Sequence, residues 1–161
     1  MKHFAFGAGL LVAAAALGAP AHATGTVQSG FLVCQVAGGE GAVFGSTKTV
    51  ECTYTPVKNG QPPEFYTGVI SRYGIDLGFT GEGLLKWAVL AKNTDNYTAG
   101  ALAGSYIGAG AEVTAALGLG TNVLVSKTTN NWVLQPVSLS GQTGLNIALG
   151  VAEFDLVPAT K

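Results

Sequence analysis

An all-β domain, a single small antiparallel β-barrel or β-sandwich of about eight to ten short strands, is predicted by three observations. Short segments rich in Val, Ile, Thr, Tyr and Phe recur between Gly, Pro and Asn punctuation. Where the pattern can be counted, apolar residues return with a period of two. No amphipathic helix longer than two turns and no low-complexity linker interrupts residues 24–161, so one domain is expected there.

The 161-residue chain opens on MKHFAFGAGLLVAAAALGAPAHA. Lys2 supplies a basic start, Phe4 to Leu17 an apolar run, Pro20 a helix breaker, and Ala21-His22-Ala23 a small-x-small ending. This is the pattern of a secretory signal peptide, with cleavage expected between Ala23 and Thr24. The apolar run falls short of the roughly 20 residues that span a bilayer, so a retained membrane span is not expected. The expected location is the periplasm or the exterior.

Cleavage changes the chemical inventory. Removing 23 of 161 residues leaves 138, with seven Lys/Arg against nine Asp/Glu, a net charge of −2, and Arg72 as the only arginine. Both histidines, His3 and His22, leave with the leader. A mature chain without histidine excludes a Ser-His-Asp triad, a Cys-His pair and a histidine-ligated zinc site. A faintly acidic chain with no basic cluster has no electrostatic footprint for nucleic acid or anionic lipid headgroups. No motif calls for a cofactor.

In chain order, strands are expected near 28–36, 41–46, 48–55, 64–73, 75–79, 84–91, 103–115, 119–126, 131–140 and 144–157. The strand at 48–55 has the clearest alternation, with Val50, Cys52 and Tyr54 on one face and Thr49, Glu51 and Thr53 on the other. Lys58-Asn59-Gly60-Gln61-Pro62-Pro63 ends it, because Asn-Gly tolerates positive φ and the prolines stop strand pairing. Thr94-Asp95-Asn96 and Asn130-Asn131 mark further loops. At the C-terminus Leu145, Ile147, Leu149 and Val151 alternate, then the phase shifts to Phe154 and Leu156, which a bulge near Ala152-Glu153 would produce.

The stretch GSYIGAGAEVTAALGLG, residues 104–120, has two readings. As a membrane helix, Gly100, Gly104 and Gly108 would form a small-residue packing seam. Glu112 would then lie near the bilayer centre at a cost of about 2.5–3.5 kcal/mol. As a strand, Ile107, Ala109, Ala111, Val113, Ala115, Leu117 and Leu119 share one apolar face, with Gly110 on a face that lies close against a neighbour. The strand fits better. A single strand over 103–125 would be about 75 Å long, so a bend is expected at Gly118 and Gly120.

Cys34 and Cys52 are the only cysteines and sit in adjacent expected strands of an exported chain. A disulfide follows; a redox or metal pair would need C-x-x-C spacing or histidines. Among residues that could carry chemistry, Asp76, Glu82 and Glu112 are the carboxylates in the most apolar surroundings. Arg72 and Asp76 would share a face of an extended segment and could pair, most simply as a structural ion pair. Trp87 and Trp132 read as core or barrel-rim aromatics, with ligand stacking the lesser reading. Asn96-Tyr97-Thr98 matches the glycosylation acceptor pattern by chance in a chain with a bacterial leader.

Several strings resemble a known family: YTGVISRYGIDLGFT at 66–80, WAVLA at 87–91, AGALAGSYIGAGAEVTAALGLGTNVLV at 99–125, LQPVSLSGQTGLNIALGVA at 134–152 and GSTKTVECTYTP at 45–56. Together they resemble the alphaproteobacterial family catalogued as domain of unknown function 992, with a departure at Ser126-Lys127. The resemblance implies a small exported envelope protein and no particular reaction. The leading functional expectation is therefore a non-catalytic envelope barrel that has a structural role or binds a small apolar ligand or another envelope protein. A small outer-membrane barrel is the alternative, since 138 residues can build eight strands. A carboxylate-dependent hydrolase is the second alternative.

Overall fold

The computed structural model describes residues 25–36, 46–72, 83–92, 97–120, 122–129, 131–137, 151 and 153–160. The chain order is β1 (Val27–Val36), β2 (Ser46–Pro56), β3 (Glu64–Arg72), β4 (Gly83–Ala91), β5 (Gly104–Gly108), α1 (Ala111–Ala116), β6 (Leu124–Ser126), β7 (Trp132–Pro136) and β8 (Glu153–Ala159). These strands close into a barrel in the order β1-β2-β3-β8-β5-β6-β7-β4, with β4 pairing back onto β1. Every pairing is antiparallel. Closure leaves none of the eight strands as a free edge, which disposes of the unpaired backbone groups that an open sheet must protect.

The alternation of the sequence becomes the inside and outside of the barrel. Leu32, Cys34 and Val36 of β1, Val50, Cys52 and Tyr54 of β2, and Tyr66 and Ile70 of β3 are buried. So are Leu85, Trp87 and Val89 of β4 and Phe154 and Leu156 of β8. They join Tyr106, Leu124 and Leu134 in one continuous core. Trp87 and Phe154 meet at its centre with ring centroids 5.1 Å apart. The residues between them, such as Thr47, Thr49, Glu51 and Thr55 on β2, face outward.

A second, smaller apolar cluster lies on the outer side of β4 and β7, where Leu90 and Val133 pack with Leu117 and Val123. Leu117 belongs to the end of α1, so this short helix covers one outer patch of the wall. That explains why Trp132, Val133 and Leu134 are buried in succession: β7 is covered on both faces.

The stretch 104–120 is only partly a strand. It pairs as β5 over Gly104–Gly108 and then turns into α1, so the expected strand over 103–115 is corrected, and the membrane-helix reading gives way to a six-residue helix. No helix among the described residues is long and apolar enough to cross a membrane. Gly118 (φ 66°) ends α1: its N–H donates to the Ala115 carbonyl (3.1 Å) and the Leu119 N–H to the Thr114 carbonyl (2.9 Å). This paired pattern satisfies the last helical carbonyls and needs a left-handed residue, which glycine supplies without a Cβ clash. The expected inward phase is also corrected. Tyr106 is fully buried, while Ile107 and Val113 are 41% and 44% exposed. Leu117 is buried and Leu119 packs beside it, as expected, but from a helix end. Gly110 faces open space, so the close approach expected there is absent.

The other expected strands at 28–36, 48–55, 64–73 and 84–91 appear with shifts of one or two residues at their ends. Of those at 119–126 and 131–140, the described residues form strands at 124–126 and 132–136, and 121 and 138–140 lie outside the described residues. Of the strand expected over 144–157, residues 153–157 belong to β8 with Phe154 and Leu156 inward, while 144–150 and the bulge expected at Ala152 lie outside the described residues. The expectations at 41–45, 75–79, Asp76, Glu82 and the leader junction Ala23-Thr24 lie outside the described residues.

Candidate functional site

One end of the barrel, formed by the start of β1, the end of β2, and the starts of β3 and β7, carries the most polar and aromatic convergence among the described residues. Its placement begins with a glycine. A Cβ on Gly30 would sit 2.4 Å from the Tyr54 ring, so only the bare backbone lets that ring lie across β1. A register shift between Gln28 and Gly30 then turns Ser29 toward the same ring. The Tyr54 hydroxyl donates to the Ser29 carbonyl (3.0 Å) and lies 3.1 Å from the Ser29 hydroxyl.

Glu64 follows Pro62-Pro63 and opens β3. Its Oε2 accepts from the Tyr66 hydroxyl (2.5 Å) and from the Gly100 N–H (3.0 Å), and its Oε1 accepts from the Tyr97 hydroxyl. One carboxylate thus ties β3 to the connection between β4 and β5. Tyr97 in turn stands edge-on to Trp132, with centroids 5.8 Å apart and planes at 90°, and 5.9 Å from Tyr54. Such edge contacts suit the charge distribution of aromatic rings.

A cavity of about 300 Å³ opens above these rings, lined by Val27, Gln28, Ser29, Tyr54, Val57, Lys58, Gln61, Tyr97 and Trp132. A larger hollow of about 420 Å³ lies on the outer wall across β1, β2 and β3, beside Val33, Gln35, Glu51, Phe65 and Thr67. The outer hollow is bounded by side chains standing on flat strands. The mouth cavity has walls from four separate elements and three rings, so it is the stronger candidate.

The electrostatics of the mouth keep its phenols neutral. Burial, and then the Glu64 carboxylate beside them, push Tyr66 and Tyr97 well above the usual phenol range. Burial likewise raises Tyr54 at the mouth and Tyr106 in the core. The unfolded chain ionises its tyrosines near pH 10 and the folded chain resists, so stability is intact below about pH 10 and falls as pH rises beyond it. The slope is about 1.4 kcal/mol per pH unit for Tyr106 and less for the mouth tyrosines, which water screens. An alkaline titration followed at 295 nm should show fewer than the five tyrosines ionising until the circular dichroism signal collapses. Smooth ionisation of all five with the fold intact would contradict the arrangement.

The residues singled out from sequence do not gather here. Trp87 is fully buried in the core, so its rim and stacking readings are withdrawn in favour of packing. Arg72 lies at the end of β3 away from Glu64, and Glu112 lies in the first turn of α1. Glu64, Tyr97 and Tyr54 were not signalled as a group, because their meeting depends on strand register and loop path.

Among the described residues, no group of three acidic or cysteine side chains is placed to hold a metal ion. The model for the family described as Protein of unknown function (DUF992) matches residues 12–157, which takes in β1 to β7 and most of β8. No curated protein and no solved structure matches the chain. With nearly the whole barrel inside the match, the chain belongs to the DUF992 family.

Proposed function

We propose that this protein is an exported, water-soluble barrel of the cell envelope that works by binding rather than by catalysis. The observation that carries the proposal is the interior: apolar side chains fill the barrel, while the outer face is mixed, with polar residues set among exposed Val69, Leu84, Ile107 and Val157. A lipid-facing barrel needs the reverse, an apolar outer band around a polar interior. On β2 the outer row Thr47, Thr49, Glu51, Thr53 and Thr55 suits water. On β8 Asp155 accepts from Ser105, and Glu153 forms an exposed ion pair with Lys127 at 3.3 Å. The eight-strand count is common to both readings, and the direction of the side chains favours the water-soluble one.

The packed core leaves binding to the surface, chiefly the mouth cavity. The non-catalytic part of the proposal is supported by how three of the described carboxylates are used, since Glu64 accepts three hydrogen bonds and Glu153 and Asp155 each hold a neighbour, while Glu51 stands exposed on the outer face of β2. A hydrolase needs a carboxylate pair flanking a bond to be broken.

Expression with the leader intact tests the proposal. The protein should be released in the periplasmic extract without detergent, shortened by the leader and with a β-rich spectrum. Recovery only from the outer-membrane pellet would overturn it.

A further inference from the structure

We propose that Asn59 is a self-modifying position: in the mature protein its side-chain amide is lost through a cyclic imide formed with Gly60, which leaves a carboxylate at the lip of the mouth cavity. The mature chain has seven asparagines, and Asn59 is the one followed by glycine. That spacing puts a main-chain nitrogen with no side chain beside an amide carbon, and the fold decides whether the two can react.

The pair sits at the corner of the turn after β2. The Gln61 N–H donates to the Lys58 carbonyl at 3.4 Å and Gly60 takes φ 88°, so Asn59 and Gly60 are the two central residues of that turn. Both are exposed, and a Cβ built on Gly60 would meet nothing within 4 Å. Among the described residues, neither the Asn59 side chain nor the Gly60 N–H takes part in a hydrogen bond. The attacking nitrogen is therefore unengaged and unhindered, and the amide it attacks is free to rotate toward it. Asn122 and Asn131 differ on both counts. They precede Val123 and Trp132, which are buried, and each is already engaged by a neighbour.

The chemistry needs only water. Hydroxide removes the Gly60 N–H proton, and the nitrogen attacks the Asn59 side-chain carbonyl carbon, Cγ, forming a new C–N bond. The Cγ–Nδ2 bond breaks, and ammonia leaves after taking a proton from water. A five-membered imide remains, and water adds to one of its two carbonyls. Opening at Cγ restores the main chain with aspartate at position 59; opening at the main-chain carbonyl routes the chain through the side chain as isoaspartate. The balance is amide plus water giving carboxylic acid plus ammonia, with no change of oxidation state. The product is ionised at neutral pH. One negative charge thus arrives between Lys58 and Gln61, both of which line the mouth cavity. The strands are left alone, because β2 ends at Pro56 and β3 begins at Glu64.

The test incubates the mature protein at pH 7 and at pH 9, followed by ion exchange and peptide mass spectrometry. An acidic fraction should accumulate, faster at pH 9, with the mass gain of an NH2 replaced by OH located at position 59 and present as both aspartate and isoaspartate. In water enriched in oxygen-18 the new carboxyl should carry the label. Gly60→Ala should slow the reaction on the order of tenfold, and Asn59→Gln should suppress it, both with an unchanged circular dichroism spectrum. A synthetic peptide spanning Val57 to Gln61 sets the reference rate, and an exposed turn should let the folded protein react within about tenfold of it. A folded protein slower than the peptide by more than that factor, an equal rate of gain at another asparagine, or a rate indifferent to Gly60→Ala overturns the proposal.

Discussion

Trp87→Ala is expected to lower the unfolding free energy by about 3–5 kcal/mol, the usual range for deleting a large buried aromatic. Trp87 is fully buried, stacks on Phe154 and belongs to the continuous core that every long strand of the barrel contributes to. Neighbours drawn from a closed barrel cannot collapse into the void without disturbing the ladders that close it, so the cost should lie toward the upper end. The indole also carries a liability: among the described residues its Nε1–H is buried with no hydrogen-bond partner. A stranded donor of that kind costs about 1–3 kcal/mol. Trp87→Phe removes the donor while keeping most of the ring, so the lost volume and the recovered desolvation oppose one another. The expected change is less than about 1.5 kcal/mol by urea denaturation. Equal losses for the two variants would mean that the N–H does have a partner or that volume alone governs the site.

The parts of this fold that were legible in sequence are those where side-chain type alone distinguishes inside from outside. On β2 the alternation of Val50, Cys52 and Tyr54 with Thr49, Glu51 and Thr53 leaves one way to bury the apolar set, and the structure adopts it. Residues 104–120 lack that contrast. Alanine and glycine fit either face, so the decision passed to two bulky neighbours, and Tyr106 went inward because its hydroxyl can donate to the Leu102 carbonyl (2.8 Å). The six residues of α1 are too few to display a helical period, although the string from Ala111 to Gly118 holds a left-handed stop at its end. The mouth was less legible still. Glu64 and Tyr97 are 33 residues apart, and nothing local to either specifies the other; only the barrel order, which carries the chain across the mouth between β4 and β5, brings them together.

Removing the disulfide is expected to cost about 3 kcal/mol. Cys34 and Cys52 are directly opposed in the register of β1 and β2, with Cα atoms 4.0 Å apart, and both side chains point into the core. The pairing expected from sequence is thus formed. Because the ladder already holds these two positions together in the folded state, the bond adds little order there. Its main effect falls on the unfolded chain, where it closes a loop of 18 residues and removes the corresponding conformational freedom. In the chain-entropy model that amounts to about 3 kcal/mol. Replacing both cysteines by alanine should therefore lower the urea midpoint while leaving the β-rich spectrum in place, with a further small loss from the two sulfur atoms missing from the core. Burial predicts a kinetic signature as well. Thiol–disulfide exchange requires a thiolate to reach a sulfur atom, and exposures of 0% and 3% for the two residues deny that access. Dithiothreitol should act slowly on the folded protein and quickly once urea is present. Two thiols open to alkylation in unfolded protein that was never reduced would defeat the assignment, and rapid reduction under native conditions would show that β1 and β2 separate far more readily than their ladder implies.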